Sequence, residues 1–297
     1  MNKKDKKIIF FGTPNVTIQI LEDLKASGFL PMTIVTGPDV PIGRKQTITP
    51  PPTKVWALEN NIPVLQPTNI DTAFVEQIKN LAPDLSIVVA YGKILPQTLI
   101  DIPAFGTINI HYSLLPKYRG ATPVESAILH GDTETGVCIQ KMVYELDAGD
   151  IIAEEKVAID PNEKTHELRA RLNIVAGEML TKILPDIFEN KITPIPQQGD
   201  ISKCGKIKKE DGLITEEELK NAETDTNTAR NLWNKFRAYT PWPSLFFFAR
   251  RDSDLGSSLI RIKITDAIFE NNQFIIKKVI PEGKKEMDYK NFLENFE

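Results

Sequence analysis

Short apolar runs alternate with stretches of helical periodicity through the first 110 residues, and this alternation constrains the fold more than any other feature. The apolar runs, each typical of a buried strand, lie at 7–13, 32–36, 64–65, 85–89 and 107–110. The helical stretches lie between them at 16–24, 54–61 and 73–82. Such alternation predicts an α/β fold with a doubly wound, mostly parallel sheet. Because ligands bind beyond the carboxyl ends of the strands in such a sheet, the residues that follow each strand are candidates for a site.

The rest of the chain is expected to complete this domain and to form a second one, since 297 residues are long for a single core. Further helices are predicted at 121–130, 167–188, 227–237 and 288–296, and further strands at 136–143, 151–157, 245–250, 259–269 and 274–279. Pro185 is expected to kink or end the long helix. We predict a first domain at 1–189, a linker at 190–204 that is rich in Pro, Gln and Gly, and a β-rich second domain at 205–297.

Composition excludes several classes of protein. The hydrophobic content of 41% fits a soluble globular protein, and no run of about 18 apolar residues exists to span a membrane, so no membrane partner is expected. The two cysteines have no metal-ligand spacing, which predicts no metal and ordinary thiols in a reducing cytoplasm. A net charge of -4 leaves no general basic surface, so any contact with nucleic acid has to be local.

The ends of two predicted strands indicate which kinds of ligand the sheet could bind. FFGTPN, after the first strand, has one glycine, which disfavours a dinucleotide fingerprint, and no Gly-rich Lys-Ser/Thr loop exists for ATP. In VVAYGKILP at 88–96, Gly92 permits close backbone approach, and Ile94, Leu95 and Pro96 are expected to build an apolar wall. A plain strand-to-helix turn is the alternative interpretation of this stretch.

The segment INIHYSLLPKYRG at 108–120 carries the candidate chemistry. Alternation along a strand places Asn109 and His111 on one face. Asp147 lies in a predicted turn between two strands, although such a residue can also bond its own turn, and a lone histidine is often structural. No Ser or Cys nucleophile elbow exists, so the residues suggest direct acyl transfer to an amine. His111 would stabilise the oxyanion, and Asp147 would hold His111 protonated.

The pattern N-x-H-x-S-L-L-P-x-x-R-G at 109–120, followed by L-D-x-G-x-I at 146–151, resembles the signature of the 10-formyltetrahydrofolate-dependent formyltransferases. The resemblance implies a Rossmann-like formyltransferase domain, 10-formyltetrahydrofolate as formyl donor, and no metal. It implies that Asn109, His111 and Asp147 are catalytic. The folate-binding residues that it implies are Tyr91, Gly92, Ile94, Leu95, Ser113, Leu114, Leu115 and Pro116.

Three further stretches resemble the members of this family that act on initiator methionyl-tRNA. The stretch 38–57 is similar to their inserted tRNA-reading loop, which implies tRNA contacts by Arg44 and Lys45 at a basic, mobile tip. The stretches 205–214 and 236–248 are similar to their linker region and to the start of an OB-like C-terminal β-barrel, which is abbreviated here. A monomer that formylates the α-amino group of initiator methionyl-tRNA is the expected protein.

One departure and two alternatives accompany this interpretation. Val16 stands where the family usually has an aromatic residue in the methionine pocket, which implies a looser pocket. A sugar-nucleotide N-formyltransferase is the first alternative, and the basic loop together with YTPWP at 239–243 argues against it. A non-catalytic RNA-binding protein on the same scaffold is the second, and the complete set of Asn, His and Asp argues against it.

Overall fold

The computed structural model describes residues 5–43, 45–253 and 256–296, and it divides the chain into two compact units. The first unit contains the described residues up to Pro123 together with Thr135–Ala158 and Arg169–Lys203. The second contains Val124–Glu134, Ile159–Leu168 and the described residues from Cys204 onward.

The elements of the first part of the chain alternate as the hydrophobic pattern predicts. In chain order they are β1 Ile8–Gly12, α1 Thr17–Ala26, β2 Thr33–Val35, β3 Val40–Ile42, β4 Thr47–Thr49, α2 Pro52–Glu59, β5 Val64–Leu65, α3 Thr72–Leu81, β6 Leu85–Val89, α4 Gln97–Ile100 and β7 Thr107–His111. They continue with β8 Arg119–Gly120, α5 Pro123–Leu129, β9 Glu134–Lys141, β10 Ile151–Ala158 and α6 Thr165–Phe188.

The central sheet has the strand order β10-β9-β7-β6-β1-β2-β5. From β5 to β7 all neighbours are parallel, and β9 joins β7 in antiparallel register. The inner strands β1 and β6 are buried along their whole length, as their unbroken apolar sequences predict for strands covered on both faces. The predicted doubly wound α/β sheet is confirmed.

The segment predicted to be the inserted loop forms a hairpin. Val40–Ile42 pairs antiparallel with Thr47–Thr49, because β-branched residues favour extended pairing. Gly43 at φ 74 and Gln46 at φ 49 turn the chain, and the Gln46 N–H donates to the Gly43 carbonyl at 3.2 Å. At the base, the Lys54 ammonium lies 2.8 Å from an Asp39 carboxylate oxygen. The sequence analysis predicted a loop here and did not predict its two short strands.

The long helix α6 does not end at Pro185. It continues to Phe188, because the backbone N–H groups after the proline bond back to carbonyls in the last turn. The Glu189 N–H donates to the Pro185 carbonyl at 3.0 Å, and the Lys191 N–H donates to the Asp186 carbonyl at 2.9 Å. No described helix is long and apolar enough to cross a membrane.

The second unit has an antiparallel sheet in the order β12-β13-β14-β15, as a β-rich C-terminal domain predicts. The elements from residue 203 onward are β11 Lys203–Cys204, α7 Glu216–Asn221, α8 Thr226–Tyr239, β12 Phe246–Ser253, β13 Gly256–Glu270, β14 Gln273–Pro281, β15 Met287–Asp288 and α9 Tyr289–Phe296. Helix α8 buries Leu232, Trp233 and Phe236 within this unit. Its Arg237 is also buried, and that burial lowers the pKa of the guanidinium to about 10.

Candidate active site

The end of β7 presents two polar side chains on one face of the sheet. Ile108 and Ile110 are buried on the opposite face, so alternation directs Asn109 and His111 to the same side. Asn109 is half-buried and His111 is only 5% exposed. Asn109 pairs in parallel register with Val88 of β6, whose carboxyl end is beside that of β7. Both residues therefore lie at the strand edge where sites of this fold occur.

Asp147 lies in the connection between β9 and β10, in a backbone conformation that is unusual for a residue with a side chain. Its φ is 50°, in the left-handed region. Two residues later, a Cβ on Gly149 would lie 1.6 Å from the Lys141 carbonyl oxygen, so only glycine fits there. The Lys141 N–H donates to the Asp150 carbonyl at 2.9 Å and closes the base of the connection.

The structure brings the three predicted catalytic residues together around the Asp147 carboxylate. Nδ1 of His111 lies 3.7 Å from Asp147 Oδ2, and Asn109 Nδ2 donates to Asp147 Oδ1 at 3.5 Å. The Gly120 N–H donates to Oδ2 at 2.8 Å. The carboxylate is thus oriented by backbone and amide donors, while the imidazole faces it beyond hydrogen-bonding distance.

Gln140 belongs to this cluster and was not predicted. It is 2% exposed, and its Nε2 donates to Asp147 Oδ1 at 3.0 Å. The β7–β9 register pairs Gln140 with Asn109, which places both on the same face. Its Oε1 is buried and has no hydrogen-bond partner among the described residues. The signal in the sequence was an uncharged polar side chain inside the apolar strand GVCIQKM.

The imidazole of His111 is held as a neutral donor. A carbonyl can only accept, so the 2.9 Å contact with the Tyr118 carbonyl requires a proton on Nε2. Burial lowers the pKa of His111, and the opposing effects of the Asp147 charge and the Tyr118 carbonyl do not cancel that effect. The expectation that Asp147 holds His111 protonated was wrong for the free protein.

We expect an NMR titration to place the midpoint of His111 below the ordinary value of about 6.5. With its pKa lowered in the folded state, His111 contributes stability that is lost as pH falls below about 6.5, where the unfolded chain binds the proton first. The resonances of His111 would be assigned with His111→Gln. A midpoint at or above 6.5 would contradict the neutral imidazole.

With this geometry established, comparison with known proteins identifies the chain. Residues 6–184 match the family described as formyl transferase. The methionyl-tRNA formyltransferase of Listeria innocua is 37% identical over 97% of this chain and 95% of that protein. The methionyl-tRNA formyltransferase of Geotalea uraniireducens is 42% identical over 82% of this chain and 75% of that protein. The chain belongs to the methionyl-tRNA formyltransferase family. This confirms the predicted enzyme class, and it favours that branch over the sugar-nucleotide alternative.

Solved structures confirm the fold. The methionyl-tRNA formyltransferase of Clostridium thermocellum superposes with a TM-score of 0.57 at 16% identity, over 93% of this chain and 98% of that one. WlaRD, a sugar 3N-formyl transferase solved in the presence of dTDP and 5-N-formyl-THF, superposes with a TM-score of 0.60 at 19% identity, over 95% and 97%.

The residues that the family resemblance assigns to folate binding differ in exposure. Ile94 is 77% exposed, whereas its neighbour Leu95 is 3% exposed and packs in an apolar cluster with Phe11 and Tyr91. Gly92, at φ 82, has open space where a Cβ would be. The Tyr91 hydroxyl is buried without a hydrogen-bond partner among the described residues.

The second predicted folate segment lies directly after β7. Ser113, Leu115 and Pro116 are buried and Leu114 is half-buried. The Ser113 hydroxyl donates to the Lys117 carbonyl at 2.5 Å, and the Leu115 N–H donates to Cys138 Sγ at 3.3 Å. These contacts fix the chain between His111 and Gly120.

The residues predicted to contact the second substrate lie on separate elements of the first unit. Lys45 is exposed at the tip of the hairpin, and Arg44 lies outside the described residues. Val16 is half-buried immediately before α1, beyond the carboxyl end of β1.

Proposed function

We propose that this protein transfers the formyl group of 10-formyltetrahydrofolate to the α-amino group of initiator methionyl-tRNA, and that it acts as a monomer. The observation that carries the proposal is the cluster of Asn109, His111 and Asp147 at the carboxyl edge of the sheet. The match to curated methionyl-tRNA formyltransferases along almost the whole chain supports the choice of acceptor.

The residues around the strand ends fit a folate donor. The Tyr91 hydroxyl has no hydrogen-bond partner among the described residues, the adjacent Gly92 leaves its backbone accessible, and Ile94 offers an exposed apolar side chain to a flat ring. Burial raises the pKa of Tyr91 to about 12, so this hydroxyl keeps its proton and can donate. We assign donor binding to the 91–95 and 113–116 segments.

The acceptor amine needs little activation, because an α-amino group has a reference pKa of about 7.7–8.0 and is partly neutral at pH 7. The bound donor supplies an N10-formyl group, whose carbon forms a bond to the amine nitrogen as the bond to N10 breaks. Asn109 Nδ2–H donates to the developing oxyanion, and His111 joins it when its Nε2–H turns from the Tyr118 carbonyl to that oxygen. Asp147 accepts the proton that the amine loses, directly or through a water, and N10 receives that proton on leaving.

The hairpin is proposed to contact tRNA. Lys45 is exposed at its tip, and Arg44 precedes it in the chain. Arg44 suits bidentate contacts with phosphate or a base edge, whereas Lys45 acts as a point charge. The ion pair between Lys54 and Asp39 and the 2.8 Å hydrogen bond from Gln66 Nε2 to Asp39 Oδ1 hold the base of this hairpin.

Val16 is proposed to line the methionine pocket. It lies at the carboxyl edge of the sheet, directly before α1. A valine leaves more room than an aromatic ring at this position. An aromatic ring would add apolar contacts worth about 1–3 kcal/mol. This is the size of the free-energy difference by which a hydrophobic pocket distinguishes similar side chains. The amino-acid pocket is accordingly proposed to be permissive.

A side-by-side formylation assay tests the function. Purified protein and 10-formyltetrahydrofolate would be combined with initiator methionyl-tRNA, elongator methionyl-tRNA or an amino-sugar nucleotide, and reactions without the donor serve as the control. Donor-dependent formylation is expected with initiator methionyl-tRNA and not with the sugar. Formylation of the amino sugar alone would overturn the proposal, and equal rates on both tRNAs would overturn its initiator selectivity.

A further inference from the structure

One glutamine from the segment after α6 bridges two parts of the catalytic unit. Gln197 Oε1 accepts hydrogen bonds from Arg119 Nε at 3.1 Å and from Arg119 Nη2 at 2.7 Å. Its Nε2 donates to the carbonyls of Asp147 and Gly149, each at 2.8 Å. The orientation of the amide is unambiguous, because a guanidinium only donates and a carbonyl only accepts.

The two carbonyls belong to the connection that carries the catalytic carboxylate. Asp147 adopts φ 50, a conformation that costs free energy unless its surroundings hold it. Arg119 Nη1 also lies 3.6 Å from Glu145 Oε1, so the guanidinium reaches the same connection at a second point. Its side chain is 9% exposed, which limits screening by water.

The segment that provides Gln197 is itself tied to the first unit. Ile195 and Ile151 exchange backbone hydrogen bonds at 2.8 and 2.9 Å. The Arg119 N–H donates to the Ser202 carbonyl at 2.9 Å, and the Tyr118 N–H donates to Ser202 Oγ at 2.8 Å. Gln197 is therefore fixed on both sides along the chain.

We propose that Gln197 is a positioning residue for Asp147, and that Arg119 holds the Gln197 amide in the orientation this requires. The inference rests on the proposed catalytic role of Asp147. Gln197 acts through the backbone of residues 147–149 and touches no reacting atom. Its loss lowers kcat, because the carboxylate leaves its productive geometry, while substrate binding is largely retained.

The test compares Gln197→Glu with Gln197→Met, because these variants separate the two halves of the bridge. Glutamate keeps an acceptor for Arg119 but loses both donors to the carbonyls, whereas methionine removes the acceptor and both donors. We expect both variants to lower kcat by about 10–100-fold with KM for donor and tRNA changed less than about threefold. The loss of kcat in Gln197→Glu should be smaller at low pH, because a protonated glutamate side chain regains one hydrogen-bond donor.

The matched control is Gln198→Glu, an exposed neighbour that should keep wild-type kcat. A wild-type kcat in Gln197→Glu would overturn the proposal, since anchoring of Arg119 alone would then suffice. Circular dichroism checks that each variant folds. Arg119→Lys keeps the charge but loses the bidentate guanidinium contact, and we expect it to lower kcat in the same way. Asp147→Asn is measured in parallel. If it retains activity, the proposed role of Asp147 fails; if only the Gln197 variants are normal, the positioning role fails.

Discussion

His111→Ala and Asp147→Asn should each lower kcat by about 10²–10³-fold, the usual loss when one preorganised transition-state donor is removed. The first variant removes the imidazole N–H that we propose donates to the developing oxyanion. In the second, the new amide can no longer take the amine proton, and its NH₂ group replaces an oxygen that accepts from the Gly120 N–H or from Gln140. Neither side chain is assigned to ground-state binding, so KM should change little.

The measurement is single-turnover formylation at saturating donor and methionyl-tRNA, which reports chemistry separately from product release. Asp150→Asn is the matched control, because Asp150 is an exposed carboxylate in the same connection. It should retain the wild-type rate. If His111→Ala or Asp147→Asn kept more than about a tenth of wild-type activity, the transition-state assignment of that residue would be wrong.

Gly149→Ala should destabilise the protein and nearly abolish turnover. The added methyl would lie 1.6 Å from the Lys141 carbonyl oxygen and 2.8 Å from its carbonyl carbon, both backbone atoms that a side-chain rotation cannot move away. The connection carrying Asp147 must shift, at a cost of about 3 kcal/mol or more. A shift of about 1 Å in Asp147 can remove about 10²-fold of the rate.

Chemical denaturation and formylation kinetics check this result together. Gly205→Ala is the control, because Gly205 is exposed and a Cβ there meets no described atom within 4 Å. Its unfolding free energy should stay within about 0.5 kcal/mol of wild type. Wild-type stability and activity in Gly149→Ala would contradict this prediction, because they would show that the connection accommodates the methyl group without displacing Asp147.

Local sequence patterns were sufficient to predict the sheet and half of the proposed catalytic cluster. The runs that form β1, β6 and β7 are short and apolar. The two-residue alternation of a strand places Asn109 and His111 on the same face, independently of what packs around them. Asp147 could be grouped with them from the residues only as a hypothesis, because its turn alone does not indicate which strand end it faces. Pairing of β7 with β9 settles that question.

One of the residues that were missed, Gln197, acts across a long separation in sequence. Gln197 lies 50 residues from the carbonyl of Asp147 that it binds, in a stretch without periodicity. The protonation of His111 was misjudged for a related reason: a neighbouring carboxylate is visible in a motif, whereas the burial that opposes it depends on packing. Likewise, Ile94 and Leu95 are adjacent in sequence, yet one is exposed and the other belongs to the apolar cluster.

The placement of Gln197 bears on where the catalytic fragment of such a chain can be cut. Helix α6 ends at Phe188, which looks like a natural point for truncation or for joining this domain to a different C-terminal partner. A fragment cut there would retain Asn109, His111 and Asp147 but would lose the amide that binds the carbonyls of Asp147 and Gly149. Chimeric formyltransferases built from this chain should therefore cross over after Lys203, so that the Gln197 amide and the Ser202 contacts remain with the proposed catalytic residues.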